Sequence, residues 1–218
     1  ANVSGPRVAW NPARPDTDGP EGWLASTGLL PCHYFVHSFA SPTSYALYRP
    51  RLGTSAGTAA TAHLERNYGA AFPLAWVWAQ ASAAEGAAGL VVTGGLFQIG
   101  PITTMTYVLG LRAPAMGISW DFRTTDLDRM VDARNPCAGR LAIKATSADG
   151  RRRLELKWSA PSQTFGAPLY VPTAAGFSNS PGCRESYNGT VEVHAWQRQV
   201  PGLGRWRELP PRLRIPMA

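Results

Sequence analysis

The chain has 218 residues, of which 44% are hydrophobic and 16% are charged, and its formal net charge is +7. This composition excludes a disordered chain, and because no run of about 18 apolar residues is present, no membrane span is expected. The basic residues are spread along the chain rather than gathered into a stripe with interleaved exposed aromatic residues, so no nucleic-acid partner is expected.

The chain begins with an irregular segment. Residues 1–22 contain four prolines and show little apolar periodicity, which predicts an extended N-terminal arm. Residues 23–200 are expected to form the folded domain. The alternation of apolar and polar residues there predicts several strands: 32–39, 76–80, 141–145, 154–158 and 190–196.

Turns and ends complete the prediction. Asp149-Gly150 separates two alternating runs and is a strong hairpin signal, and the basic run 151–153 that follows is interpreted as its solvated tip. Helical signals are scarce, and only residues 125–131 could form one or two helical turns. Residues 201–218, with Pro210-Pro211 and Pro216, are expected to be an irregular C-terminal tail. The predicted fold class is therefore all-β, as an antiparallel barrel or sandwich.

The cysteines and histidines do not form a familiar metal motif. The three cysteines, Cys32, Cys137 and Cys183, include no CxxC pair, so no zinc site is expected. In an oxidising compartment they would give one disulfide and one free thiol. His33 and His37 would share one face of a strand, but no third metal ligand is visible, and ordinary hydrogen-bonded histidines are the simpler interpretation.

The localisation is not fixed by the sequence. Two glycosylation sequons begin at Asn2 and Asn188, and the first residue is Ala1 rather than methionine. These features are compatible with a processed chain in the secretory pathway.

The most informative segment is residues 63–80, where a polar stretch leads through Phe72-Pro73 into an aromatic strand. Glu65 and Asn67 are two residues apart and would share a face in an extended segment. A glutamate beside apolar residues can serve as a proton donor, although Glu65 could equally form a surface ion pair with an arginine.

The aromatic strand also has two interpretations. Trp76, Trp78 and Gln80 would share a face, either as core residues or as a stacking wall for a flat or polyene-like ligand whose polar atom is bound by Gln80. Further along the chain, Arg184 could hold an oxyanion, and a structural ion pair is the alternative.

Taken as a block, these residues resemble a known family. The order Glu65 to Gly69, then Phe72-Pro73, then Trp76 to Gln80 is similar to the signature of tocopherol cyclases, which belong to a lipocalin-like superfamily with hydroxyneurosporene synthase and fungal Diels–Alderases. Supporting matches place the resemblance over roughly residues 22–198: 22–24, 30–34, 94–96, 167–169, 176–177 and 183–186.

The resemblance implies a lipocalin-like β-barrel and an enzyme that needs no cofactor. The implied activity is ring formation in a prenylated phenol, a quinone methide or a polyene natural product. Glu65 is the candidate acid, and His33 or His37 is the next candidate. Asn67, Tyr68, Gln80 and Arg184 are candidate substrate-binding residues, together with Trp76 and Trp78 as the cavity wall.

Two further readings remain open at the level of the sequence. A non-catalytic lipocalin-like carrier of an apolar small molecule would share the barrel and its aromatic lining but would need no acid. The resemblance is to the C-terminal barrel of a family usually built from two, so a structural module that pairs with an N-terminal barrel, or a homo-oligomer, is also compatible with it.

Overall fold

The computed structural model describes residues 2–70, 72–99, 101–135, 138–173, 175–201 and 203–216. These residues form fourteen strands, and the only helical segments among them are short 3-10 turns. The strands are β1 Asn2–Ser4, β2 Cys32–Arg49, β3 Gly53–Gly69, β4 Ala75–Ser82, β5 Gly89–Ile99, β6 Ile102–Ala113, β7 Ile118–Arg123, β8 Arg129–Asn135, β9 Arg140–Thr146, β10 Arg152–Ser159, β11 Leu169–Thr173, β12 Gly176–Cys183, β13 Thr190–Gln197 and β14 Arg207–Pro216. The 3-10 turns span Gly22–Ser26, Ala84–Gly86, Pro114–Met116, Thr124–Asp126 and Ser162–Thr164.

The strands form four antiparallel sheets. A hairpin sheet has the order β1-β2-β3, a central sheet has the order β4-β5-β6-β7, and a five-stranded sheet has the order β14-β13-β10-β9-β8. The strands β11 and β12 form a separate hairpin. The predicted all-β antiparallel fold is confirmed, and since no sheet of the described residues closes into a barrel, the sandwich alternative is the one observed.

The main core lies between the central sheet and the five-stranded sheet. Alternate residues of most of their strands enter it, so the period-two alternation in the sequence has its usual physical cause, a face buried against another sheet. The predicted alternating strand 154–158 contributes Leu154, Leu156 and Trp158 to this core. Its partners include Leu109 and Leu111 of β6, which are fully buried.

A second, smaller core covers the opposite face of the central sheet. Here Tyr34 and Phe39 of β2 meet Val91 of β5, and Trp10 of the N-terminal arm inserts beside them. Trp10 is only 2% exposed, and a side chain on Gly110 would lie 2.3 Å from its ring. The glycine in β6 therefore provides the space into which the arm packs.

The predicted irregular C-terminal tail is wrong for most of its length, because β14 pairs antiparallel with β13 along Arg207–Pro216. Ile215 is buried in the main core, and Leu209 and Leu213 pack against it. The prolines that suggested a tail are compatible with β14 because it is the edge of its sheet, and because Pro210-Pro211 falls where its pairing with β13 is irregular, between Leu209 and Leu213.

The predicted helical turns at residues 125–131 are also corrected. Only a 3-10 turn forms, at Thr124–Asp126, and the chain enters β8 at Arg129. Leu127 adopts the left-handed conformation with φ of 64°, which ends the turn before an α-helix can begin. The predicted Asp149-Gly150 hairpin is confirmed by the antiparallel pairing of β9 and β10.

Two other expectations concern redox state and membranes. Cys32 and Cys183 are free thiols rather than a disulfide, and Cys137 lies outside the described residues. Among the helical segments that the structure describes, none has the length and apolar character needed to cross a bilayer.

Candidate functional site

The signature segment lies on β3, which pairs with β2 in the hairpin sheet. Val36 is opposite Glu65 and Tyr34 is opposite Asn67. Directly opposed residues share a face of a sheet, so Glu65 and Asn67 share a face as predicted. Because Tyr34 and Val36 belong to the smaller core, this is the face that turns toward the central sheet.

A compact polar cluster forms on that inner face around Glu65. The Tyr34 hydroxyl donates a 2.6 Å hydrogen bond to Oε2 of Glu65, and Nε2 of His63 lies 2.9 Å from the same oxygen. Among the described residues, no hydrogen-bond partner is found for the other oxygen, Oε1. Two partners thus hold the carboxyl group in place through one of its two oxygens.

The cluster is shielded from solvent on most sides. The His63 side chain is 5% exposed and that of Glu65 is 19% exposed, and the His63 ring contacts the edge of Phe39. Burial, together with the adjacent Glu65 carboxylate, raises the pKa of Tyr34 well above the usual tyrosine value. Tyr34 is therefore a proton donor in its hydrogen bond to Glu65 throughout the neutral pH range.

The aromatic strand β4 borders this cluster. Ala79 and Ala81 enter the main core, which turns the alternating residues Trp76, Trp78 and Gln80 to the other face of the central sheet. The Trp78 indole lies close enough to the Tyr34 hydroxyl to lower its pKa slightly, without the geometry of a full hydrogen bond. Glu65 and Trp78, both named from the sequence, are thereby brought together through Tyr34.

The other candidate residues of β2 and β3 lie on the outer face of the hairpin sheet. His33 is opposite Tyr68, and their rings stack with centroids 5.1 Å apart. The Arg66 guanidinium lies 4.7 Å from the Tyr68 ring centroid. Nδ1 of His33 lies 2.9 Å from Glu21 of the arm. This outer group is separated from Glu65 by the thickness of the sheet.

His37, the remaining candidate on β2, lies on the same outer face of the hairpin sheet as His33. Its ring contacts Phe35 with centroids 4.8 Å apart, and its backbone oxygen accepts a 2.5 Å hydrogen bond from Arg7. His33 and His37 do lie on one face, as predicted, but that face is not the one that carries the Glu65 cluster.

Two other predicted residues meet at a cavity of about 480 Å³. Trp76, at the start of β4, and Arg184, just after β12, both contribute to its wall, together with Phe165 and Cys183. The Arg184 guanidinium donates to the backbone oxygens of Phe165 and Gly166, each at 3.3 Å. Burial and the nearby Glu185 raise the pKa of the Cys183 thiol. Glu65 does not line this cavity.

A second cavity, of about 640 Å³, lies between the arm and strands β6 and β7 and is more polar. Arg112 donates 2.8 Å hydrogen bonds to the Trp10 backbone oxygen and to Asp121. Arg123 also pairs with Asp121, at 3.4 Å, and donates to the backbone oxygen of Pro20. The charged groups here mainly fasten the arm to the central sheet.

Sequence reasoning missed Tyr34 and His63 as members of the Glu65 cluster. The position of His63 was readable, since it stands two residues before Glu65 and so shares its face in a strand. The role of Tyr34 was not, because its contact with Glu65 spans 31 residues and depends on the β2–β3 register. Within the described part of the chain, no group of three or more His, Cys, Asp or Glu side chains could hold a metal ion.

The comparisons with known proteins agree with the signature on β3 and β4. Residues 5–205 match the tocopherol cyclase-like family, and the match covers most of the arm and twelve of the fourteen strands, all but the first and the last. Neither a curated protein nor a solved structure shows significant similarity to the sequence. Since the family match extends over nearly the whole chain, this protein belongs to the tocopherol cyclase-like family.

Proposed function

We propose that this protein is a cofactor-independent cyclase that forms a ring in a prenylated phenol, a quinone methide or a polyene natural product. Membership of the tocopherol cyclase-like family supports a cyclase-type activity. The observation that carries the proposal is the Glu65 carboxyl group, held by Tyr34 and His63 through one oxygen while the other faces no described partner.

Ring closure of a prenylated phenol requires one proton donor and a partly dry site. A proton passes from the Glu65 carboxyl group to the prenyl double bond, and the phenol oxygen forms a C–O bond with the resulting tertiary carbocation. The phenol proton then returns to the Glu65 carboxylate, so the reaction is an isomerisation without net gain or loss of a proton. The His63 imidazole is placed to exchange that proton with Glu65.

Aromatic groups beside the acid fit a cationic intermediate. A positive charge is stabilised over the face of a tryptophan ring, and Trp78 adjoins the Tyr34–Glu65 pair. Tyr34, with its raised pKa, holds the carboxyl group in place without competing as the acid. Asn67, which shares the face of Glu65, is the candidate for orienting the phenol oxygen.

The test is an assay with a prenylated phenol in which a product of identical mass and a chroman ring is measured by chromatography and NMR. We expect turnover by the native protein and a loss of about 10²-fold or more in Glu65→Gln, because the amide cannot donate the proton. The control is Glu192→Gln, an exposed glutamate on β13. Full activity in Glu65→Gln would remove Glu65 from the mechanism.

One observation favours a second function, that of a non-catalytic carrier of an apolar small molecule. The cavity walled by Trp76 and Phe165 does not include Glu65, so a ligand could be held there without meeting the acid. Extraction of the purified protein followed by mass spectrometry separates the two functions. An unchanged ligand that is released without isomerisation favours the carrier, and conversion to a cyclised isomer favours the enzyme.

A further inference from the structure

The cavity between β4 and the β11–β12 hairpin combines flat apolar walls with one cation. Trp76 and Phe165 supply aromatic surface, and Arg184 supplies the positive charge. Its volume of about 480 Å³ falls in the range of sites that enclose a small organic molecule.

Arg184 is held in place but is not neutralised. Its Nε and one terminal nitrogen donate to the backbone oxygens of Gly166 and Phe165, which fixes the plane of the guanidinium. Among the described residues Arg184 forms no ion pair, and its neighbour Glu185 instead accepts a 2.7 Å hydrogen bond from the Tyr187 hydroxyl. A guanidinium with a free terminal nitrogen at a cavity wall is suited to a carboxylate.

We propose that this cavity binds the aromatic carboxylate end of the substrate, with the ring between Trp76 and Phe165 and the carboxylate on Arg184. The inference rests on the proposed ring-forming activity and names the class of substrate for it, a prenylated aromatic acid.

The position of the cavity relative to Glu65 supports this assignment. Trp76 and Trp78 are two residues apart on one strand and share a face, which places their Cα atoms about 7 Å apart. Trp76 belongs to the cavity, and Trp78 adjoins the Tyr34–Glu65 pair. A prenyl chain that leaves the aromatic ring and follows β4 would therefore run from Arg184 toward the acid.

The experiment compares 3-prenyl-4-hydroxybenzoate with its methyl ester, which has the same ring and chain but no charge. We expect calorimetry to show that the native protein binds the acid at least tenfold more tightly than the ester. This preference should disappear in Arg184→Gln and persist in Arg51→Gln, a control at an exposed arginine in the β2–β3 turn. Equal binding of acid and ester by the native protein, or an unchanged preference in Arg184→Gln, would overturn the proposal.

The same two ligands and variants distinguish failure of the binding-site proposal from failure of the cyclase proposal. An Arg184-dependent preference for the acid without any ring product leaves the binding site standing and overturns the cyclase. Ring formation from acid and ester with equal affinity overturns the binding site and leaves the cyclase standing. If Arg184→Gln does not fold, Arg184→Lys decides, because an ammonium lacks the planar fork and should reduce the preference several-fold, whereas an unchanged preference refutes the role.

Discussion

The Tyr34 phenol and the Glu65 carboxyl group are joined by a 2.6 Å hydrogen bond across the β2–β3 pair, on the face that the hairpin sheet turns toward the central sheet. The bond links the smaller core to the candidate acid, because Tyr34 is itself a core residue. Packing in that core therefore determines where the Glu65 carboxyl group stands.

Tyr34→Phe should cost about 1–2 kcal/mol of unfolding free energy, because it deletes a hydrogen bond to a carboxyl group inside the protein. Urea unfolding followed by tryptophan fluorescence measures this change. Tyr48→Phe is the matched control, since Tyr48 is 67% exposed, and its unfolding free energy should stay within about 0.5 kcal/mol of the native value. An equal loss of unfolding free energy in both variants would show that the Tyr34–Glu65 hydrogen bond does not stabilise the fold.

Stability should fall at alkaline pH partly because of the same tyrosine. Its raised pKa means that, above the unfolded value of about 10, the folded state retains a proton that the unfolded state has lost. The contribution of Tyr34 is thus fully present below pH ~10 and is lost as pH rises further. In urea titrations above that pH, the decline in Tyr34→Phe should be shallower by up to about 1.4 kcal/mol per pH unit. Identical slopes would show that Tyr34 ionises normally.

A pair of histidine variants can show which face of the hairpin sheet contributes to activity. His63→Gln should reduce kcat about tenfold or more in the ring-closure assay, because its ring lies 2.9 Å from the Glu65 carboxyl group and exchanges protons with it in the proposed mechanism. His37→Gln should keep kcat within about twofold, since His37 lies on the opposite face. The reverse order of effects would place the acid on the outer face.

Gly110 should be intolerant of even one methyl group. A Cβ at this position would lie 2.3 Å from the Trp10 ring, so Gly110→Ala must displace the arm and should lower the unfolding free energy by about 1–3 kcal/mol. Gly166→Ala is the control, because its nearest neighbour, the Glu185 backbone oxygen, is 3.8 Å away. Thermal unfolding of the two variants should differ by several degrees, and equal midpoints would argue against close packing of the arm.

The attachment of the arm depends on Arg112, which bonds to the Trp10 backbone and pairs with Asp121 while stacking on the Trp10 ring. Arg112→Gln should release the arm and speed its proteolysis by about tenfold or more, since the hydrogen bond to the Trp10 backbone and a part-buried ion pair with Asp121 are both lost. Arg14→Gln removes only an exposed pair with Asp18 and should leave the cleavage rate unchanged. Mass spectrometry of timed digests locates the first cuts, and first cuts outside the arm, residues 1–22, would contradict the prediction.

Sequence patterns predicted those strands and turns that are determined by residues close together in the chain. The strand of Leu154 and Trp158 was readable because one of its faces is buried and the other is not, and Asp149-Gly150 marked its hairpin. Strand β14 was not readable, since Pro210-Pro211 interrupts the alternation and a register irregularity falls between Val193 and Ala195 of its partner.

The candidate site could also be predicted from the sequence only in part. The shared face of Glu65 and Asn67 follows from their spacing, and the structure confirms it. Which side of the hairpin sheet packs on the central sheet depends on long-range contacts such as that of Phe39 with Trp10, and spacing carries no information about them. His33 and His37, the histidines named as candidates from the sequence, therefore lie on the other face, and His63 is the histidine that contacts the acid.

Neighbouring residues of β5 lie on opposite sides of the central sheet, with Val91 in the smaller core and Val92 in the main core. Neighbours in sequence thus face different requirements. Substitutions of side chains that face the five-stranded sheet are limited by the packing that keeps the protein folded. Substitutions of side chains that face the hairpin sheet also change the surroundings of Glu65. The chain could acquire a new ligand preference through changes on one side of this sheet without rebuilding the other.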